Sequence, residues 1–185
     1  MTRNPATRTS LLVCHNRRAV DTGYIIMGVS GSGKTEIGSR LAQALGVEFV
    51  EGDAYHSPTN IRKMSAGIPL TDEDRKEWLQ AIAKRVRAAN DSGRGVVVAC
   101  SALKRSYRDL LRAEAAPVQF VFLRGSRELI AKRLGQRKGH FMPPALLDSQ
   151  FCTLEEPAPD EHAWVVDIND SPDAIVASLV ARASV

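Results

Sequence analysis

Eight consecutive residues, Gly28-Val29-Ser30-Gly31-Ser32-Gly33-Lys34-Thr35, satisfy the pattern G-x-x-x-x-G-K-[ST] in full. That spacing has a mechanical meaning. Glycines let the backbone wrap a phosphate with its N–H groups turned inward, and a helix opening at the end of the run adds the positive end of its dipole. Gly28, Ser30, Gly31, Ser32 and Gly33 are therefore expected to line an anion cradle. Lys34 is expected to reach the β and γ phosphates of ATP as a catalytic cation, and Thr35 to offer its hydroxyl to Mg²⁺. The motif needs a strand before it and a helix after it. The apolar run Tyr24–Val29 supplies the first, and Gly33–Leu45, with Ile37, Leu41 and Leu45 on one face and Gly46 as a stop, supplies the second.

The rest of the chain repeats that alternation. Val47–Val50, Val96–Cys100, Val118–Leu123 and Val165–Ile168 read as further short strands, with Val96–Cys100 apolar throughout. Between them lie helical stretches at Pro58–Ala66, from Thr71 to Asp91, Lys104–Ala115, Ser126–Gln136 and from Ser171-Pro172 onward. Thr71 with Asp74 three residues on is a capping pair, and Pro172 suits a first helical turn. Strands alternating with helices predict an α/β fold: a five-stranded parallel sheet with helices on both faces, which apolar runs without alternation fit. Ligands of such sheets sit at the carboxyl ends of the strands, here Gly28–Thr35, Glu51–His56, Ser101–Lys104 and Arg124–Ser126. Gly139–Ala163, which holds four prolines, shows no clear element.

Composition excludes several classes. Hydrophobic residues make up 44% and charged residues 25%, ordinary for a soluble globular chain. A pI near 9.1 suggests nucleic acid, but 25 Lys+Arg stand against 21 Asp+Glu, a net charge of only +4. Four arginines in the first twenty positions carry much of that excess, so no nucleic-acid role is expected. No run is long enough to span a bilayer, so no membrane role is expected either. Cys14, Cys100 and Cys152 are too few and too scattered for a disulfide framework, which suits a reducing, cytoplasmic setting. Cys100, at the end of an apolar run, reads as a small core residue. Residues 1–20 are expected to form a disordered extension, and 21–185 a single domain.

Further segments carry a family resemblance. Gly52-Asp53-Ala54-Tyr55-His56, Asn60-Ile61-Arg62-Lys63-Met64, Gly67 to Arg75, Cys100-Ser101-Ala102-Leu103-Lys104 with Tyr107-Arg108-Asp109, Arg137 to Phe141, and Ser149-Gln150-Phe151 through Glu155 resemble the gluconate kinases, relatives of shikimate and adenylate kinases among the P-loop kinases. The likeness runs from about Tyr24 to the C-terminus. It implies ATP-dependent phosphorylation of gluconate at its 6-hydroxyl, a lid near 134–145, and a homodimer.

The resemblance also proposes roles. Asp53 follows the second strand and is expected to be the catalytic base, since a primary hydroxyl is a poor nucleophile and an aspartate can orient it and take its proton. A turn-capping aspartate is the competing reading. Glu51, on the same strand face, is expected to support Mg²⁺ through water, because the third strand runs into Ser101 with no acid at its end. Gluconate carries a carboxylate and a string of hydroxyls. His56, Lys63, Ser101, Lys104, Arg108 and His140 are expected to contact it, with Lys63 and Lys104 as the leading cations. Arg127, Lys132, Arg133, Arg137, Lys138 and His140 cluster around one helix and its exit, and Arg133 and Arg137 share a face at i, i+4. Those two arginines are expected to meet the nucleotide phosphates, Arg137 catalytically, because a planar fork suits phosphate oxygens. Two other readings stay open: a kinase of the same architecture for a different small sugar acid, and a nucleotide-binding regulatory module without acceptor chemistry.

Overall fold

A computed structural model describes residues 21–136 and 144–184. Five strands form one sheet: β1 (Gly23–Met27), β2 (Glu48–Glu51), β3 (Val96–Ala99), β4 (Val118–Arg124) and β5 (Trp164–Asp167). Their spatial order is β2-β3-β1-β4-β5, and every pairing is parallel. β1 lies at the centre, with Ile25 opposite both Val98 and Phe120. Its residues alternate between two cores. Tyr24 and Ile26 point to a layer with Ile37, Leu41, Val121 and Leu179, while Ile25 and Met27 point to one with Leu79, Ile82, Val86 and Leu111. Both faces are therefore dry, which is why β1 and β3 carry no polar residue.

The helices are α1 (Lys34–Leu45), α2 (Pro58–Ser65), α3 (Asp72–Asp91), α4 (Arg105–Ala115), α5 (Arg127–Gln136), α6 (Pro144–Thr153) and α7 (Pro172–Ala183). α3 starts with the capping box expected from Thr71 and Asp74. Ser57 and Ser171 cap α2 and α7, each ahead of a proline. Gly46, at φ 70°, ends α1. The expected strands and helices all occur, within about two residues at each end.

The segment without a clear element contains α6 and a 3₁₀ turn at Pro159–Glu161. α6 escapes a pattern search because its apolar positions Leu147 and Phe151, with Leu154 just past its end, share their face with a polar residue, Gln150. A 3₁₀ turn at Gly52–Tyr55, directly after β2, is the other element sequence periodicity does not reveal. Cys100 is fully buried and its thiol is pushed up to about 12 by that burial, as befits a core residue.

Candidate active site

The phosphate loop joins β1 to α1, so the strand aims it and the helix supplies its amides. Gly31, at φ 82°, sits where an added Cβ would come within 2.7 Å of Leu134 Cγ on α5. Its lack of a side chain is therefore what lets the loop lie against that helix. Gly28 N–H donates to the Ser101 carbonyl at 3.3 Å, tying the loop to the turn after β3. Lys34 Nζ donates to the Val29 carbonyl at 3.0 Å, bringing the ammonium back along the loop. The Ser32 hydroxyl is buried with no hydrogen-bond partner among the described residues. Thr35 Oγ1 donates to Glu51 Oε2 at 2.7 Å, so the two residues expected near Mg²⁺ are neighbours. Hard oxygen donors of this kind suit Mg²⁺, which keeps several waters and binds one or two protein groups together with phosphate oxygens.

Asp53 stands on the 3₁₀ turn with its side chain 73% exposed. Behind it the turn is rigid. Gly52 packs so tightly that an added Cβ would lie 2.3 Å from the Ala99 carbonyl oxygen. Trp78 of α3 is buried and donates Nε1–H to the Gly52 carbonyl at 2.7 Å. The same indole stacks on His56, with ring centroids 4.3 Å apart and planes 14° apart. His56 Nε2 lies 4.0 Å from Asp53 Oδ1. Burial pushes the His56 imidazole below its ordinary range, against the opposing pull of Asp53. A neutral imidazole thus lies beside the aspartate near pH 7.

The first turn of α3 gathers the expected acceptor cations. Lys63 Nζ meets Asp74 Oδ1 and Oδ2 at 2.7 and 2.9 Å. Lys104 Nζ meets Asp72 Oδ1 and Oδ2 at 2.8 and 2.7 Å, and the Tyr107 hydroxyl donates to the same carboxylate. The Lys63 hydrogen bond holds Asp74 down at about 2, and Lys104 followed by Tyr107 lowers Asp72. Asn60, buried, donates to the Asp74 carbonyl at 2.6 Å and locks α2 against this turn. The helix dipole favours these carboxylates as well.

Arg108 corrects the sequence reading. Expected to contact substrate, it is instead fully buried. Nε and Nη2 bind the two oxygens of Glu161 at 2.6 and 2.7 Å, and Nη1 donates to the carbonyls of Ala102, Leu103 and Glu155. The guanidinium is spent on protein acceptors, and it fastens the turn that carries Ser101 and Lys104. Arg133 donates to the Ile168 carbonyl at 2.7 Å, so it braces α5 against the exit of β5. Arg137, Lys138 and His140 lie outside the described residues.

One contact was not anticipated. Ser30 N–H, in the middle of the phosphate loop, donates to Gln150 Oε1 at 2.6 Å. A lone amide within the Leu147, Phe151, Leu154 stripe is the sequence signal that would have pointed to it.

A parallel sheet with this loop at the exit of its central strand, and an aspartate turn beside it, defines a P-loop kinase for a small molecule. The AAA_33 family model, an AAA domain, matches residues 24–157. The chain is 47% identical to the gluconokinase of Gluconobacter oxydans over 156 residues, covering 84% of this chain and 88% of that one. It is 44% identical to the thermoresistant gluconokinase of Escherichia coli over 158 residues, covering 85% and 90%. The crystal structure of a gluconokinase from Sinorhizobium meliloti superposes with a TM-score of 0.80 at 50% identity, covering 89% and 93%. The chain belongs to the gluconokinase family.

Proposed function

We propose that this enzyme transfers the γ-phosphoryl group of ATP to the 6-hydroxyl of D-gluconate, giving 6-phospho-D-gluconate and ADP. The observation that carries the proposal is the pairing, in a chain of this family, of a complete phosphate loop with an exposed aspartate on a braced turn at the end of β2. The loop amides and Lys34 hold the β and γ phosphates and take up charge as the transfer proceeds. Thr35 and Glu51 would hold Mg²⁺, which would neutralise phosphate charge. Asp53 orients the hydroxyl and accepts its proton. The O6–phosphorus bond forms while the bond from phosphorus to the bridging oxygen of ADP breaks. Lys63 and Lys104 serve the acceptor carboxylate and hydroxyls, exchanging Asp74 and Asp72 for substrate oxygens. His56 and Ser101 complete the acceptor side.

Domain organisation, compartment and assembly belong to the same proposal. The described residues 21–136 and 144–184 carry the catalytic domain, and the expected extension of residues 1–20 and most of the expected lid near 134–145 lie outside them. No described helix is long and apolar enough to cross a membrane. The sparse cysteines support a cytoplasmic setting, and a homodimer rests on the family resemblance.

The test is an acceptor panel with ATP and Mg²⁺, followed by ADP release, with Lys34→Ala as control. Gluconate-dependent ADP release that vanishes in Lys34→Ala is expected. Turnover of shikimate or another sugar acid in preference to gluconate would reassign the acceptor, and release independent of any acceptor would leave a nucleotide-binding module.

A further inference from the structure

Gln150 has no part in the reaction as described, yet it touches the centre of the phosphate loop. Its position on α6 is unusual for an amide. Leu147, Gln150, Phe151 and Leu154 follow i, i+3, i+4, i+7 spacing, which puts them on one helix face. Leu147 is buried, and Phe151 and Leu154 pack against the same core that contains Val29 of the loop. A glutamine in that stripe must find a partner or lose the hydrogen bonds it makes in water. It finds Ser30 N–H at 2.6 Å. Only the carbonyl end of the amide can accept, so the orientation of the group is determined by the donor.

The helix is held in that place from several sides. Asp148 pairs with Arg127 of α5. Beyond the last turn, Leu154 N–H donates to the Gln150 carbonyl, and Glu155 N–H to the Leu103 carbonyl in the turn after β3. Gln150 is therefore presented to the loop by an element anchored on both α5 and that turn.

A loop amide is built to meet a phosphoryl oxygen. The side-chain carbonyl of Gln150 offers Ser30 N–H the same acceptor chemistry, an oxygen lone pair, without the charge. We propose that Gln150 is a stand-in for phosphate: its Oε1 occupies a donor of the cradle, and a phosphoryl oxygen of the incoming nucleotide displaces it. Gln150 thereby sets nucleotide affinity by competition. The inference rests on the phosphate-loop reading of residues 28–35 and is independent of which acceptor is phosphorylated.

The competition has a sign that a packing role lacks. Gln150→Leu keeps the volume and removes the competitor, so it should tighten binding of a non-hydrolysable ATP analogue with Mg²⁺. The gain should be about two- to tenfold, the range of one net hydrogen bond. Gln150→Glu keeps the shape and makes the competitor anionic, which strengthens its bond to Ser30 N–H and repels phosphate. That variant should bind the analogue about tenfold more weakly or worse, and recover as pH falls and the new carboxyl protonates. Calorimetry on the full-length chain reads both, with thermal unfolding confirming that each variant is folded. If Gln150→Leu does not fold, the isosteric Gln150→Glu decides alone. Opposite shifts in the two variants support the proposal, as does the predicted weakening and its recovery at low pH in Gln150→Glu where Gln150→Leu does not fold. Unchanged affinity in a folded variant, or weakening in both, overturns it.

Discussion

Replacing Glu161 by glutamine would leave the Arg108 guanidinium charged in a site from which water is excluded. The Arg108 and Glu161 side chains are 0% and 1% exposed. Breaking a buried pair by removing one charge costs about 3–5 kcal/mol, because the remaining ion keeps its desolvation penalty. The same contact is visible in the carboxyl itself, which the Arg108 hydrogen bonds hold at about 2 against an ordinary 4.5. For a chain of this length the loss lowers Tm by about 6–20 °C. The sign with pH follows from the depressed value. Between about 4.5 and 2 the unfolded chain binds the proton and the folded one does not. The contribution is therefore present above that window and lost as pH falls through it. Thermal and urea unfolding of wild type and Glu161→Gln, at pH 7 and across the acid range, measure both effects. The variant should be less stable at pH 7, and the gap should close toward pH 2. A variant within about 1 kcal/mol of wild type at pH 7, with an unchanged acid slope, would refute the claim that this pair is a charged, dry contact.

Two further substitutions address the chemistry. Asp53→Asn should lower kcat by about a hundredfold or more, the scale of general-base catalysis, while the calorimetric affinity for ATP stays within about twofold. Because the Asp53 side chain is exposed, folding should not suffer, and a near-normal kcat would remove it as the base. Lys63→Ala should raise KM for gluconate about tenfold or more, the scale of a charge-assisted hydrogen bond, with KM for ATP little changed. A defect confined to ATP would move Lys63 to the nucleotide side.

The parts of this enzyme that depend on neighbours in the chain are legible in the sequence. The phosphate loop is eight consecutive residues, and its conformation follows from glycine freedom and the helix that begins at Lys34. Thr71 and Asp74 cap α3 across a single turn, and the apolar runs at Val96–Ala99 and Phe120–Leu123 dictate a sheet covered on both faces. Polar contacts between distant segments are another matter. Arg108 and Glu161 are 53 residues apart, and nothing in the local pattern distinguishes a buried arginine from one on a solvated helix face. Lys104 meets Asp72 across 32 residues, and Ser30 meets Gln150 across 120. Side-chain hydrogen bonds reach about 3 Å, so which donors find which acceptors is decided only when the sheet has set the helices in place. Sequence specifies the cradle and its strands by short-range backbone physics. Tertiary packing decides that Arg108 braces a turn, that Trp78 steadies the Asp53 turn, and that Gln150 rests on the phosphate loop.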